Sequence, residues 1–101
     1  MKKIILMILM INFFWLKLLA NDCILYPNPC INQKINISFE KTQNKIEVYV
    51  YDVAGKLIEN KRIFYSKILT INFNQKLAKG IYLVVIYDEN DNKIFKKFIV
   101  K

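Results

Sequence analysis

The sequence predicts an all-β protein, a small antiparallel β-sandwich. After residue 34, apolar and polar residues alternate at period two over most of the chain, which is the pattern of strands with one buried face. Short polar stretches separate these runs at the spacing of an antiparallel sandwich. The same region shows no helical periodicity, and its density of Ile, Val, Tyr and Phe disfavours a helix.

The strands are placed by their alternation. We expect strands over residues 35–40, 45–52, 57–65, 66–74, 81–88 and 93–101, with polar turns at 42–45 and 89–92 and a turn at Gly55. The run 81–88 is almost continuously apolar, so we expect it to lie centrally with both faces covered. Tyr49 and Tyr51 share the outer face of the second predicted strand. We expect them to pack against a second sheet or a partner, with stacking on bases or sugars as the alternative.

The first twenty residues predict a secretory signal peptide. Two lysines precede an apolar stretch that ends at Ala20, and a charged start, an apolar core and a small residue at the exit are the features of such a signal. The uninterrupted apolar run 4–11 is shorter than the about 20 residues that a membrane span needs. We therefore divide the chain into a signal-peptide helix at 1–20 and one domain at 21–101, with no stable transmembrane segment after cleavage.

Charge and composition narrow the function classes. The formal net charge is +8, and it falls to +5 when the three lysines of residues 1–20 are removed. Arg62 is the one arginine among 16 basic residues, so the planar fork that reads bases and phosphates is nearly absent. A solvated lysine-rich surface explains the charge better than a nucleic-acid site does.

The residues for catalysis or metal binding are scarce. The chain has no histidine and only two glycines, so neither a Ser-His nor a Cys-His relay nor a phosphate loop can be assembled. Two cysteines are too few ligands for a metal. We expect no enzyme activity, no cofactor and no metal. In an exported protein Cys23 and Cys30 could form a disulfide, but the prolines between them hinder the approach that a disulfide requires, and both states stay open.

The stretch Tyr26-Pro27-Asn28-Pro29 predicts a rigid extended lead-in to the fold. Each proline fixes its own φ, lacks an amide hydrogen and restricts the residue before it to extended geometry. Such a segment cannot pair as a regular central strand.

Four stretches carry a resemblance to a known family. They are YPNP (26–29), VYDVAGK (50–56), LAKGIY (77–82) and KKFIVK (96–101). In this order and spacing they closely resemble the C-terminal sorting domain of the type IX secretion system of the Bacteroidota, over residues 25–101. Asp91 and Asn92 depart from the pattern, because they stand where the family commonly has a turn glycine; Asn tolerates the left-handed region.

The resemblance implies an immunoglobulin-like sandwich that serves as a secretion and sorting signal. Its partners would be the outer-membrane translocon and shuttle proteins of the system, and in many members a sortase-like peptidase that attaches the cargo to the surface. The protein would be secreted or held at the cell surface after passing through the periplasm. The alternative is a free-standing secreted β-sandwich with an adhesive or structural role.

The resemblance also implies which residues matter. We expect the translocon to recognise the final hairpin, 81–101, and the residues that carry this recognition to be Gly80, Tyr82, Lys96, Lys97 and Val100. The residues that shape turns and motifs would be Tyr26, Pro27, Asn28, Pro29, Asp52 and Gly55. For every one of these residues, formation of the fold itself is the competing interpretation.

Overall fold

The computed structural model of the protein describes residues 22–101, and the signal peptide predicted at 1–20 lies outside them. The described part consists of five strands, all paired antiparallel: β1 (Cys23–Ile31), β2 (Lys34–Tyr51), β3 (Leu57–Asn72), β4 (Gly80–Tyr87) and β5 (Lys93–Val100). The all-β prediction is confirmed. Within residues 22–101 no helix is long and apolar enough to cross a membrane.

Strands β2 and β3 form one long hairpin that contributes to two layers. The first part of β2 pairs with β1 on one side and with the end of β3 on the other. The second part of β2 pairs with the start of β3 and with β4, and β5 pairs with β4. The result is a three-stranded layer, β1-β2-β3, and a four-stranded layer, β3-β2-β4-β5.

A bend in β2 and β3 joins the two layers. The sequence predicted a turn at 42–45 and a strand end at residue 65 in its place. The pairing of β2 with β3 shifts register between Ser38 and Gln43, and Tyr65 opposite has a φ of 52°. Buried side chains of β2 fall at odd positions up to Phe39 and at even positions from Ile46, so both halves point their apolar side inward. The prediction of six strands was wrong, because strands can pass from one sheet to another through such a bend without ending.

The core lies between the two layers. Its fully buried side chains from the first layer are Ile35, Ile37, Leu69 and Ile71, and those from the second are Ile46, Val48, Val50, Val84, Ile86 and Phe98. Each such side chain stabilises the fold by about 1.5 to 3 kcal/mol relative to an exposed position. The ring of Tyr82 stacks on that of Phe98 with centroids 5.2 Å apart.

An aspartate organises the loop between β2 and β3. The Asp52 amide donates to the Lys56 carbonyl at 3.0 Å, while its Oδ1 accepts from the amides of Ala54 at 3.0 Å and Lys56 at 2.9 Å. Gly55 has a φ of 86°, a conformation that glycine adopts without steric cost.

The loop between β4 and β5 repeats this arrangement. The Asp88 amide donates to the Asn92 carbonyl at 3.1 Å, and its Oδ1 accepts from the amides of Asn90 and Asn92, both at 2.9 Å. Asp91 takes the place of the glycine, with a φ of 61°. Aspartate tolerates this region because its short polar side chain can bond locally.

Candidate functional site

The outer face of β4 is uncovered. Tyr82, Val84 and Ile86 point into the core, whereas Ile81 and Leu83 point outward and are each 49 % exposed. The strand is central within its sheet, as predicted, since it lies between β2 and β5. The prediction that both its faces are covered was wrong, because the described region has only two layers and this face looks away from the other one.

Strand β5 extends the same uncovered face. Opposite pairs across the two strands are Ile81 with Ile99, Leu83 with Lys97, Val85 with Phe95 and Tyr87 with Lys93, and directly opposite residues lie on one side of a sheet. Phe95 is 64 % and Ile99 38 % exposed. We call these eight side chains the hairpin face.

Two tyrosines of β2 continue the hairpin face. Tyr49 is opposite Val85, and Tyr51 is opposite Leu83, so both lie on the outer side of the sheet and are half-buried. The Tyr49 ring meets the Tyr87 ring edge-on at 6.0 Å. They do not pack between the sheets, and their packing against a partner stays a prediction.

The hairpin face is positively charged as well as apolar. The Nζ of Lys93 lies 5.2 Å from the ring centroid of Phe95 and 6.0 Å from that of Tyr87, a distance at which the cation and the ring attract. Among residues 22–101 neither Lys93 nor Lys97 forms an ion pair. On β2, directly opposite Tyr87 and so next to the hairpin face, Glu47 is already paired with Arg62 of β3 at 2.9 Å.

The YPNP stretch lies inside β1 rather than ahead of the first strand. Strand β1 pairs regularly with β2 from Cys23 to Tyr26, and the register is irregular from there to Ile31. The peptide bonds before both prolines are cis. Here the side chain of Asn28 reaches the free edge of β5, where Nδ2 donates to the Lys97 carbonyl at 3.3 Å. The interpretation that this segment cannot pair regularly agrees with the structure.

Of the five residues predicted for recognition, only Lys97 is on the hairpin face. Tyr82 is buried, and its hydroxyl donates to the Ala78 carbonyl at 2.7 Å. Lys96 lies on the inner side of β5, with its Nζ 3.5 Å from Oδ1 of Asp22. Val100 is half-buried opposite Gly80, which opens β4 with a φ of 149°.

Sequence reasoning missed the apolar members of the face. The exposed ones are Ile81, Leu83, Phe95 and Ile99, and the half-buried Val85 lies among them. The sequence did contain a signal for this face. Strands β4 and β5 carry apolar residues on both sides, and a two-layer sandwich of this size can bury only one side of each strand.

The two cysteine thiols are free and lie toward opposite ends of β1. Cys23 is buried, and this burial raises the pKa of its thiol to about 11. The Cys30 thiol donates to the Lys34 carbonyl at 3.4 Å, and partial burial raises its pKa as well. The disulfide that the sequence left open is not formed in this structure.

Three carboxylates of the described region make structural contacts. Asp52 and Asp88 accept turn hydrogen bonds, and Glu47 pairs with Arg62. Within residues 22–101 no three His, Cys, Asp or Glu residues are grouped so that they could hold a metal ion. The hairpin face is the strongest candidate site in this part of the chain.

The architecture defines an immunoglobulin-like β-sandwich. It is similar to a DUF3244 family protein with this fold from Bacteroides vulgatus, with a TM-score of 0.61 and 13 % identity over 81 % of this chain and 95 % of that one. It is also similar to CopC from Methylosinus trichosporium OB3b, with a TM-score of 0.56 and 15 % identity over 79 % of this chain and 94 % of that one. At such identities the likeness concerns the fold alone, and it confirms the predicted class.

The family follows from the sequence comparison. The family model described as the secretion system C-terminal sorting domain matches residues 24–101, and the chain belongs to this family, the sorting domains of type IX secretion. The chain is also similar to an endo-acting ulvan lyase of Formosa agariphila, at 38 % identity over 84 residues, which are 83 % of this chain and 16 % of the lyase. The chain thus spans a small part of that relative. A sorting domain with this fold is not itself catalytic, and it implies interaction with the secretion machinery.

Proposed function

We propose that residues 21–101 act as an export signal, and that the outer-membrane translocon of the type IX system recognises this signal through the hairpin face. The domain would follow a signal peptide at 1–20, cross the inner membrane and be exported from the periplasm to the outside or the cell surface. One observation carries the proposal: a domain of the sorting family leaves the outer face of its C-terminal hairpin apolar and uncovered.

The exposure of this face supports a binding role. Large contiguous apolar patches on the surface of a soluble protein mark interaction sites, whereas single exposed apolar side chains are ordinary. Here four large apolar side chains lie in two adjacent strands, β4 and β5.

Finer steps belong to the same proposal. Shuttle proteins of the system would carry the exported domain onward, and a sortase-like peptidase would release it and attach its cargo to the surface. The free-standing sandwich with an adhesive or structural role is the rival, and it needs no translocon.

A reporter fusion tests the proposal. Residues 21–101 are fused behind an exported reporter in a host with the type IX machinery and in a matched strain without it. We expect the reporter outside the first strain and retained in the periplasm of the second. Equal amounts outside both strains would refute the proposal and favour the adhesive alternative. Point variants are better probes than truncation, because Phe98 belongs to the core.

A further inference from the structure

We infer that the hairpin face binds a protein surface that is apolar at its centre and presents carboxylates to Lys93 and Lys97. This inference rests on the proposed function and adds to it the location and the chemistry of the contact. Sequence motifs pointed to five recognition residues. The inference keeps only Lys97 of these and otherwise uses side chains that the fold leaves accessible.

The apolar part of the inference comes from the arrangement of the strands. Ile81 and Ile99 form one cross-strand pair, and Val85 and Phe95 form another, with Leu83 between them on β4. Opposite residues on one side of a sheet lie about 4.5 to 5.5 Å apart, so these side chains make one continuous surface. A partner with a matching apolar surface would remove it from water.

The charged part of the inference comes from Lys97. It lies between Phe95 and Ile99 along β5 and directly opposite Leu83. Among the residues that the structure describes it has no ion-pair partner. A partner covering the apolar residues would also take this ammonium group out of water, which is costly unless a carboxylate meets it.

A second copy of the chain fits this face poorly. A two-fold dimer sets the same surface against itself. The hairpin face contains two lysines and no acidic residue, and the neighbouring carboxylate of Glu47 is already paired with Arg62 at 2.9 Å. In such a dimer each ammonium group would therefore meet apolar, positive or already paired side chains. The positive net charge of the whole chain opposes the same association.

A lipid surface also fits poorly. Faces that enter a membrane keep their charged groups at the rim, where these groups reach water. Lys97 instead lies between Phe95 and Ile99 along β5, so insertion of these apolar side chains would bring its charge toward the hydrocarbon region at a cost. A protein can place a single carboxylate at that point.

Paired substitutions test the apolar contact. In the reporter fusion, Phe95→Ser and Leu83→Ser are compared with Phe64→Ser and Ile68→Ser on β3, whose side chains are 56 % and 47 % exposed. We expect export to fall about tenfold or more for the first pair, as for central residues of an interface, and to stay near wild type for the second. Urea midpoints near wild type must show that all four domains fold. Equal export from folded members of both pairs would overturn the inference.

Charge variants test the carboxylate. We expect Lys97→Glu to reduce export about tenfold or more, Lys97→Gln to reduce it less, and Lys67→Glu, an exposed site on β3, to leave it unchanged. If Lys97→Glu and Lys67→Glu act alike, only net charge matters and the carboxylate part is wrong.

Competition and binding assays separate the other occupants. Overproduced free domain should lower export of the reporter, and its Phe95→Ser form should not. Sedimentation velocity should show a monomer, and the domain should not co-sediment with vesicles containing anionic phosphatidylglycerol. A dimer or vesicle binding that Phe95→Ser abolishes would overturn the choice of a protein partner. If export never requires the machinery, the proposed function fails; if it does but ignores these substitutions, only the inference fails.

Discussion

Asn28 and Ile99 tie the first strand of the sandwich to the last, since the Ile99 amide donates to Oδ1 of Asn28 at 3.1 Å. The prolines on either side of Asn28 have no amide hydrogen to offer. The asparagine side chain therefore supplies both a donor and an acceptor to the edge of β5, as the backbone of a neighbouring strand would. The edge that it covers is next to the hairpin face.

Replacing Asn28 should loosen the end of β5. We expect Asn28→Ala to lower the free energy of unfolding by about 1 to 2 kcal/mol, because two hydrogen bonds are lost. Amide exchange measured by NMR should accelerate at Ile99. Asn72→Ala, at an exposed position of β3, serves as the control and should change neither quantity. Unchanged exchange at Ile99 would mean that the side chain does not hold this edge.

The two aspartate loops should differ in their contribution to stability. Asp88 is fully buried and accepts from two amides and from the Asn92 side chain, whereas Asp52 is partly exposed and accepts from two amides. We expect Asp88→Ala to cost about 3 kcal/mol and Asp52→Ala about 1 kcal/mol in chemical denaturation. Equal costs would show that burial of the carboxylate adds nothing.

Tyr82 should matter for stability and not for recognition. Tyr82→Phe keeps the ring on Phe98 and removes the bond from its hydroxyl to the Ala78 carbonyl, so we expect a loss of about 1 kcal/mol. Export of the reporter should remain near that of wild type. If the Tyr82→Phe domain folds but is no longer exported, this hydroxyl takes part in recognition and the prediction is wrong.

Gly55 should resist substitution for reasons of backbone conformation alone. A Cβ added there meets nothing within 4 Å, but the φ is 86°. We expect Gly55→Ala to cost about 1 to 2 kcal/mol and Gly55→Asn to cost less, since asparagine tolerates positive φ. Thermal unfolding of both variants gives the comparison. If the Gly55→Ala variant is as stable as the Gly55→Asn variant, the backbone conformation at Gly55 does not explain the cost.

The two thiols should react at different rates. Thiol reagents attack an accessible thiolate. Burial both blocks access to Cys23 and raises its pKa to about 11, whereas Cys30 is only partly buried, although its pKa is raised as well. We expect iodoacetamide at pH 8 to label Cys30 in the folded protein and Cys23 only after denaturation, as peptide mass spectrometry would show.

The raised pKa of Cys23 in the folded state also predicts how the free energy of unfolding changes with pH. Its value rises from 9.0 to about 11 on folding, so the folded chain binds more protons than the unfolded chain between these values. The stability that the neutral thiol contributes is complete below pH 9 and is lost as the pH rises through about 11. Cys23→Ala should remove this part of the alkaline decline in the urea midpoint. An identical decline in both proteins would contradict the shift.

Local sequence determined the strand character, the hairpin turns and the family. Alternation at period two fixes an extended chain with two distinct sides, and Asp52 and Gly55 specify a turn through bonds within five residues. These features depend on neighbours along the chain, so they could be predicted without the fold.

The tertiary structure decided which surfaces are covered. Alternation says that β4 has two sides but not that a second layer reaches only one of them, and it cannot show that Tyr82 faces the core while Leu83 faces outward. Nor could it show that Asn28 bonds to a strand some seventy residues away. The physical reason is that burial depends on how the layers stack, and stacking is set by contacts between distant parts of the chain.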